Sequence, residues 1–371
     1  MLKNFFNFEI SDYWRNIDKR ILFGFFTLFF LGLFFSFSST SSLAGERLNK
    51  TYYFFFSKHL IFAFLSITAM FIVSIIKRSL FEKMIIPFYI LFFILLILVP
   101  IVGLEVKGAQ RWLDLYIFRL QPIELLKPFF VLITAKILTV KNLQNLQIKY
   151  LLSFILLSSI IILLIDQPDL GQSILLIGTW MSMIFISGVS IKYIIGFFLT
   201  FLIMVSSFLY LMPEKFGYII NRILTFLDPE KGDFQSSKAL DAIKLGGLKG
   251  QGMGEGILKD RVPEAHTDYI IAVIAEEYGS IISILIVIIF LYIAFRIVKN
   301  SIEQKEEFLK LSLCGLASLL IFQTFIHIGV NTSLLPTTGM TLPFLSYGGS
   351  SIVSTAILSG LILNLTKRKL D

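Results

Sequence analysis

Long apolar runs alternate with short polar ones along nearly the whole chain. The runs cover residues 21–39, 55–76, 84–104, 123–140, 150–166, 172–189, 191–212, 269–296, 309–330 and 343–365. A helix needs about 20 mostly apolar residues to cross the hydrocarbon core of a bilayer, so the pattern predicts ten membrane-spanning helices. The fifth and sixth runs are short and are parted only by Asp166-Gln-Pro-Asp169-Leu-Gly171-Gln172. One long polar interruption, 213–268, breaks the rhythm, and the ends, 1–20 and 366–371, read as polar tails on a single all-α membrane domain spanning 1–371. Alternating segments of about ten residues would mark a membrane β-barrel, and none is seen. No internal repeat of about 20–50 residues is visible either.

Composition sharpens this picture. Apolar residues make up 56% of the chain, with 39 Phe, and only 16% of residues are charged, against about 25% in a typical soluble domain. That excess of apolar surface excludes a cytosolic enzyme, a secreted disulfide scaffold and a disordered chain. The single cysteine, Cys314, has no partner for an intrachain disulfide. The run from Ile21 is too long for the apolar part of a cleaved signal and reads as the first retained helix.

A net charge of +8 would suit a nucleic-acid partner, but the placement of the charge points elsewhere. With the N-terminus inside, the inner segments carry 18 Lys and Arg and the short outer loops carry 6. Cationic loops stay on the cytoplasmic side, so both termini are expected inside and the segment 213–268 outside. No nucleic-acid partner is expected.

Polar residues beside or within spans are expensive, roughly 2.5–3.5 kcal/mol for a central charge on insertion scales, and here they gather on the outer side. Glu105, Lys107, Arg111, Trp112 and Asp114 lie between the third and fourth runs. Glu124 and Lys127 open the fourth; three residues apart, they share a helix face and can pair. Asp169 stands in the Pro- and Gly-broken link between the fifth and sixth. The long segment holds Arg222, a helix expected over Gln235–Lys244, and six glycines in eleven residues from Gly246 to Gly256, a backbone able to approach a ligand closely. It ends in Pro263-Glu264-Ala265-His266-Thr267-Asp268, where Asp268 could cap the following helix. Glu276 and Glu277 lie two turns into that apolar helix and require partners. Small residues from Ser346 to Ser351 head the last run and allow close helix packing or line a groove. With three scattered histidines and one cysteine, a structural zinc site is excluded.

The pieces KGAQRWL, QPIELLKP, QPDLGQS, FLDPEKGD, PEAHTDYIIAVIAEEYG and PTTGMTLPFLSYGGSS occur in this order on ten spans. Together they resemble the SEDS family of cell-wall polymerases, the FtsW/RodA group, and the wording is nearer the FtsW branch of alphaproteobacterial type. Two departures stand out: Ile123 where the family usually has Ser, and Thr338 where FtsW usually has Lys. The resemblance implies a multi-pass inner-membrane peptidoglycan glycosyltransferase that polymerises lipid II on the periplasmic face, acting in septal division beside a class B penicillin-binding protein of FtsI type and other divisome proteins. It carries Asp268 over as general base, and Lys107, Arg111, Glu124, Lys127, Asp169, His266 and Ser350 as substrate-binding positions. Lys107, Arg111 and Lys127 are the cations placed to favour a departing lipid pyrophosphate. A divalent cation, Mg or Mn, could share that work, although no metal cage is written in the sequence. A lipid II flippase, an elongation polymerase of RodA type and a non-catalytic division scaffold are the rival readings.

Overall fold

The computed structural model describes residues 10–39, 54–106, 108–116, 118–141, 145–193, 213–228 and 234–367, with scattered positions between 195 and 207. A short helix α1 (Ile10–Asn16) leads into α2 (Lys19–Ser39), α3 (Phe54–Ile75) and α4 (Arg78–Val102). Then come α5 (Pro122–Thr139), α6 (Leu146–Asp166) and α7 (Leu170–Ile186). The segment after 212 contributes α8 (Pro213–Leu227) and α9 (Phe234–Gly246), and α10 (Ile270–Ile302), α11 (Glu307–Asn331) and α12 (Gly349–Leu365) complete the bundle. Among the described residues six helices are long and apolar enough to cross a membrane, α2, α3, α4, α6, α10 and α11. The chain is therefore a multi-pass membrane protein. The seventh expected span, 191–212, falls largely outside the described residues.

Burial sorts the helices into core and periphery. In α5 nearly every residue from Pro122 to Ala135 is buried, and α11 and α12 are buried on most of their faces. A helix that is apolar all round belongs at the centre of a bundle. The outer helices keep stripes such as Phe23, Phe30, Phe64, Ile90, Ile162 and Phe295 exposed, the surface that acyl chains cover. Within lipid, helices associate by close packing rather than by a hydrophobic drive. The small residues of α12 serve this: a Cβ on Gly360 would lie 2.6 Å from the Met70 carbonyl of α3. Near the end of α12 Asn364 Nδ2 donates to the carbonyls of Val73, Ser74 and Ile76 at the end of α3, groups that a helix end leaves without partners.

Three features depart from the expected helices. The link 104–120 is a small antiparallel sheet, β1 (Leu104–Val106), β2 (Ala109–Asp114) and β3 (Arg119–Leu120) in the order β1-β2-β3. The last helix begins at Gly349 rather than 343, because 343–348 fold as an irregular turn in which Phe344 adopts φ 67°. Third, α10 is broken: Gly279 has φ 84° and ψ 169°, outside helical geometry.

The break in α10 explains the two buried glutamates and the glycines together. Leu258 N and Lys259 N donate to the Glu276 carboxylate at 2.6 and 2.8 Å, and Lys259 Nζ pairs with Glu277 at 2.5 Å. The glycine-rich loop wraps the break, so its close approach is to the helix backbone and not to a ligand. A Cβ at Gly246 would lie 1.9 Å from the Ala275 carbonyl, and one at Gly250 would lie 2.2 Å from that of Glu277. Gly250 also holds φ +81°, where an L side chain costs roughly 1–2 kcal/mol before any clash. Gly250→Ala is expected to lower the melting temperature in detergent, with a loss above about 1 kcal/mol; an unchanged midpoint would mean that the loop does not clasp α10.

Candidate active site

Polar side chains of six elements meet at the end of the bundle that carries the β-sheet. Arg111, on β2, donates Nε to Gln167 O at 3.1 Å and Nη2 to Pro168 O, and its Nε lies 3.9 Å from Asp169 Oδ2. Asp169 caps α7: it accepts from Gln172 N at 3.3 Å and from Gln121 Nε2 at 3.1 Å. Gln172 Nε2 reaches Glu124 Oε1 at 2.6 Å. Glu124 and Lys127 form an ion pair of 2.9 Å with side chains 4% and 2% exposed. Lys127 Nζ donates to Gln323 Oε1 at 3.1 Å, and Gln323 Nε2 donates to Thr341 O at 3.0 Å. A small cavity beside this pair is lined by Glu124, Lys127, Gln323, Pro343 and Ser354.

Asp268 lies beside this chain of contacts. A Cβ placed on Gly339 would be 3.5 Å from Asp268 Oδ2 and 3.8 Å from Arg111 Nη1. Gly339 has φ +69°, a conformation that glycine adopts without strain. The backbone around Asp268 is pinned on both sides. Asn331 Nδ2 donates to Asp268 O at 3.0 Å, Ser346 Oγ to Thr267 O at 2.6 Å, and Tyr347 N to His266 O at 2.9 Å. The cap of α10 is Tyr269, with no side-chain cap bond, so Asp268 does not serve as the helix cap.

Burial tunes two of these groups. It pushes the Asp169 carboxyl up from the ordinary aspartate range, against the pull of Arg111 and of the Gln172 N–H. It pushes the His266 imidazole down, against Glu264, so the ring is neutral at neutral pH.

The sequence-predicted positions are thus sorted. Arg111, Asp169, Glu124 and Lys127 fall on one connected network, and Asp268 lies beside it at Gly339. Glu124 and Lys127 are its buried base, where the Lys127 ammonium is engaged by Glu124 and Gln323. The His266 ring lies 5.9 Å from the Tyr347 ring, tilted 57° to it. Ser350 is 3% exposed in the first turn of α12, and its Oγ has no hydrogen-bond partner among the described residues. Lys107 lies outside the described residues. No group of three or more His, Cys, Asp or Glu comes together among the described residues, so a divalent cation finds no ready-made cage there.

Sequence reasoning missed Gln172, Gln323, His327 and Asn331. The last three recur at every fourth position of α11 and therefore share one face. His327 Nδ1 lies 2.8 Å from Met340 O, so this face holds Met340, Thr341 and Asp268 in place. Amides and an imidazole at that spacing within an apolar run were the available signal.

Known proteins share this architecture. Residues 19–370 match the family described as cell cycle protein, FtsW/RodA/SpoVE. The probable peptidoglycan glycosyltransferase FtsW of Caulobacter vibrioides is 33% identical over 363 residues, covering 96% of this chain and 91% of that protein. The protein of the same description from Buchnera aphidicola is 36% identical over 330 residues, covering 85% and 91%. A chain of a peptidoglycan synthase complex that coordinates polymerization and crosslinking superposes with a TM-score of 0.78 at 25% identity, covering 94% of this chain and 97% of the other. The rod shape determining protein RodA of Thermus thermophilus superposes with a TM-score of 0.70 at 23% identity, covering 94% and 96%. With residues 19–370 matched and relatives 33% and 36% identical over most of the chain, this protein belongs to the FtsW/RodA/SpoVE family.

Proposed function

We propose that this protein is a peptidoglycan glycosyltransferase that polymerises lipid II at the periplasmic face of the inner membrane. The observation that carries the reading is that the Asp268 carboxylate and the Arg111 guanidinium both approach Gly339, whose Cβ would lie 3.5 Å from Asp268 Oδ2 and 3.8 Å from Arg111 Nη1. Joining two lipid-linked sugars requires an acceptor hydroxyl to lose its proton as its oxygen attacks the donor's anomeric carbon. A carboxylate within reach takes that proton, typically contributing about 10²–10⁴-fold. The bond from the anomeric carbon to the lipid pyrophosphate breaks, and the leaving group departs with the electron pair. Arg111 stands where negative charge develops on it. A single displacement inverts the anomeric centre.

Division is the favoured setting, because the curated relatives carry the FtsW description at 33% and 36% identity. A class B penicillin-binding protein of FtsI type is the expected partner, since polymerised strands need crosslinking, and the septum is the expected site. The purified protein with that partner, given lipid II in detergent, should yield glycan polymer on a gel. Transfer of lipid II across vesicles without polymer would replace this reading with a flippase.

The catalytic face must look outward. Lys249, exposed in the glycine-rich loop, provides a probe. Lys249→Cys in a Cys314→Ser background should react with a membrane-impermeant thiol reagent once only the outer membrane is permeabilised. Labelling that appears only after the inner membrane is broken would invert the topology.

A further inference from the structure

The helix α8 has two unlike faces. Tyr218, Arg222 and Thr225 recur at the four- and three-residue spacing of one helix face and are all half-buried, so this face is turned to the protein. From it Arg222 Nη1 donates to Thr337 O at 3.2 Å. On the opposite side Ile220, Ile223, Leu224 and Leu227 follow the i, i+3, i+4, i+7 pattern of an apolar stripe. Ile223 is 38% exposed, Leu224 59% and Leu227 67%. A row of large aliphatic side chains left open in this way calls for a cover from outside the chain.

Depth and continuity identify the cover. Thr337 sits at the level of the last turns of α11, a helix long and apolar enough to cross the membrane. The chain on either side of it is bonded back onto that helix: Leu335 N donates to Gly329 O at 3.0 Å, and Met340 O lies 2.8 Å from His327 Nδ1. The Arg222 bond therefore holds the middle of α8 where a span ends and the headgroups begin. The start of α8 gives the same level. Pro213 follows directly on the apolar run 191–212, in which Ile195, Leu199 and Ile203 are each more than half exposed, as on a helix surrounded by acyl chains. No polar linker carries α8 away from that surface. A helix with an apolar stripe opposite a polar face lies in the bilayer interface, sunk about 5–10 Å into the boundary between headgroups and acyl chains. We propose that α8 is a membrane-docking helix whose partner is bilayer lipid. Ile223, Leu224 and Leu227 enter the leaflet on the side of the candidate active site, and the bond from Arg222 to Thr337 ties the stretch leading to Gly339 to that leaflet.

Full-length protein in phospholipid nanodiscs, with neither substrate nor another protein present, tests this. Leu224→Cys in a Cys314→Ser background carries a polarity-sensitive fluorophore, and Asn221→Cys, exposed on the flank of the stripe, carries the same label as a reference. Emission from position 224 should be blue-shifted relative to position 221 and shielded from aqueous iodide. Phospholipids spin-labelled near the headgroup end of the acyl chain should quench it more than those labelled near the chain end. Quenching by iodide equal to that at position 221, with no effect of either lipid, would overturn the proposal and leave the stripe to a protein partner. Stronger quenching from the chain end would make α8 part of a span and overturn it equally. A second variant guards against a fluorophore that enters lipid by itself. Adding Ile223→Asp and Leu227→Asp to the labelled protein should abolish the lipid quenching and open position 224 to iodide, with the melting midpoint in detergent unchanged. Lipid quenching that survives both charges, or a lowered midpoint that shows the stripe packed on the protein, would overturn the docking role.

Discussion

Asp268→Asn should cut lipid II polymerisation by about 10²–10⁴-fold while insertion and melting stay at wild-type values. The exchange is nearly isosteric and removes only the ability to accept a proton. The backbone of the residue is held by bonds that the exchange leaves in place. The Asp268 carbonyl is held by Asn331, its amide donates to Glu264 O, and α10 is capped at Tyr269 without a side-chain bond. Purified variant and wild type, compared at equal concentration by gel and by melting, separate base from scaffold. Near-normal polymer from Asp268→Asn would remove the carboxylate from the chemistry and leave the Arg111 face without its base.

Much of this arrangement can be read from the chain alone, and the limits are physical. Span positions are legible because a bilayer imposes length and apolarity on each segment independently. The pairing of Glu124 with Lys127 is legible because helix geometry puts residues three apart together, and the structure places them 2.9 Å apart. Glu276 and Glu277 announce a need for partners but not which ones. Those partners, Leu258, Lys259 and the loop glycines, come from a segment with no periodicity to read. The glycines fit two uses, contact with a ligand or contact with a helix, and only the fold shows that they lie on α10. The turn 343–348 has the apolarity of a span, but Phe344 at φ 67° and the bonds from Ser346 and Tyr347 to the HTD segment pull it out of helix. Gln323, His327 and Asn331 carry a clear four-residue spacing, yet their purpose depends on where 339–341 and Asp268 lie, a long-range fact.

The Glu124–Lys127 pair supplies the second large effect. Both side chains are almost wholly buried, so Lys127→Met leaves an unpaired carboxylate in the core and Glu124→Gln an unpaired ammonium. Breaking a buried pair costs about 3–5 kcal/mol, a large share of the stability of most folds. The double change Glu124→Gln with Lys127→Met removes both charges and should recover most of that loss. Activity should not recover with it. Lys127 orients Gln323, which holds Thr341 two residues from Gly339, and Glu124 orients Gln172, which supports the Asp169 cap beside Arg111. Removing the pair frees both amides and lets the two walls of the site drift; misplacement by about 1 Å can cost about 10²-fold. The double variant is therefore expected to melt close to wild type and polymerise poorly, and this split separates positioning from packing. Wild-type polymerisation by the double variant would show that Gln172 and Gln323 hold their places unaided, making the pair a core ion pair and nothing more.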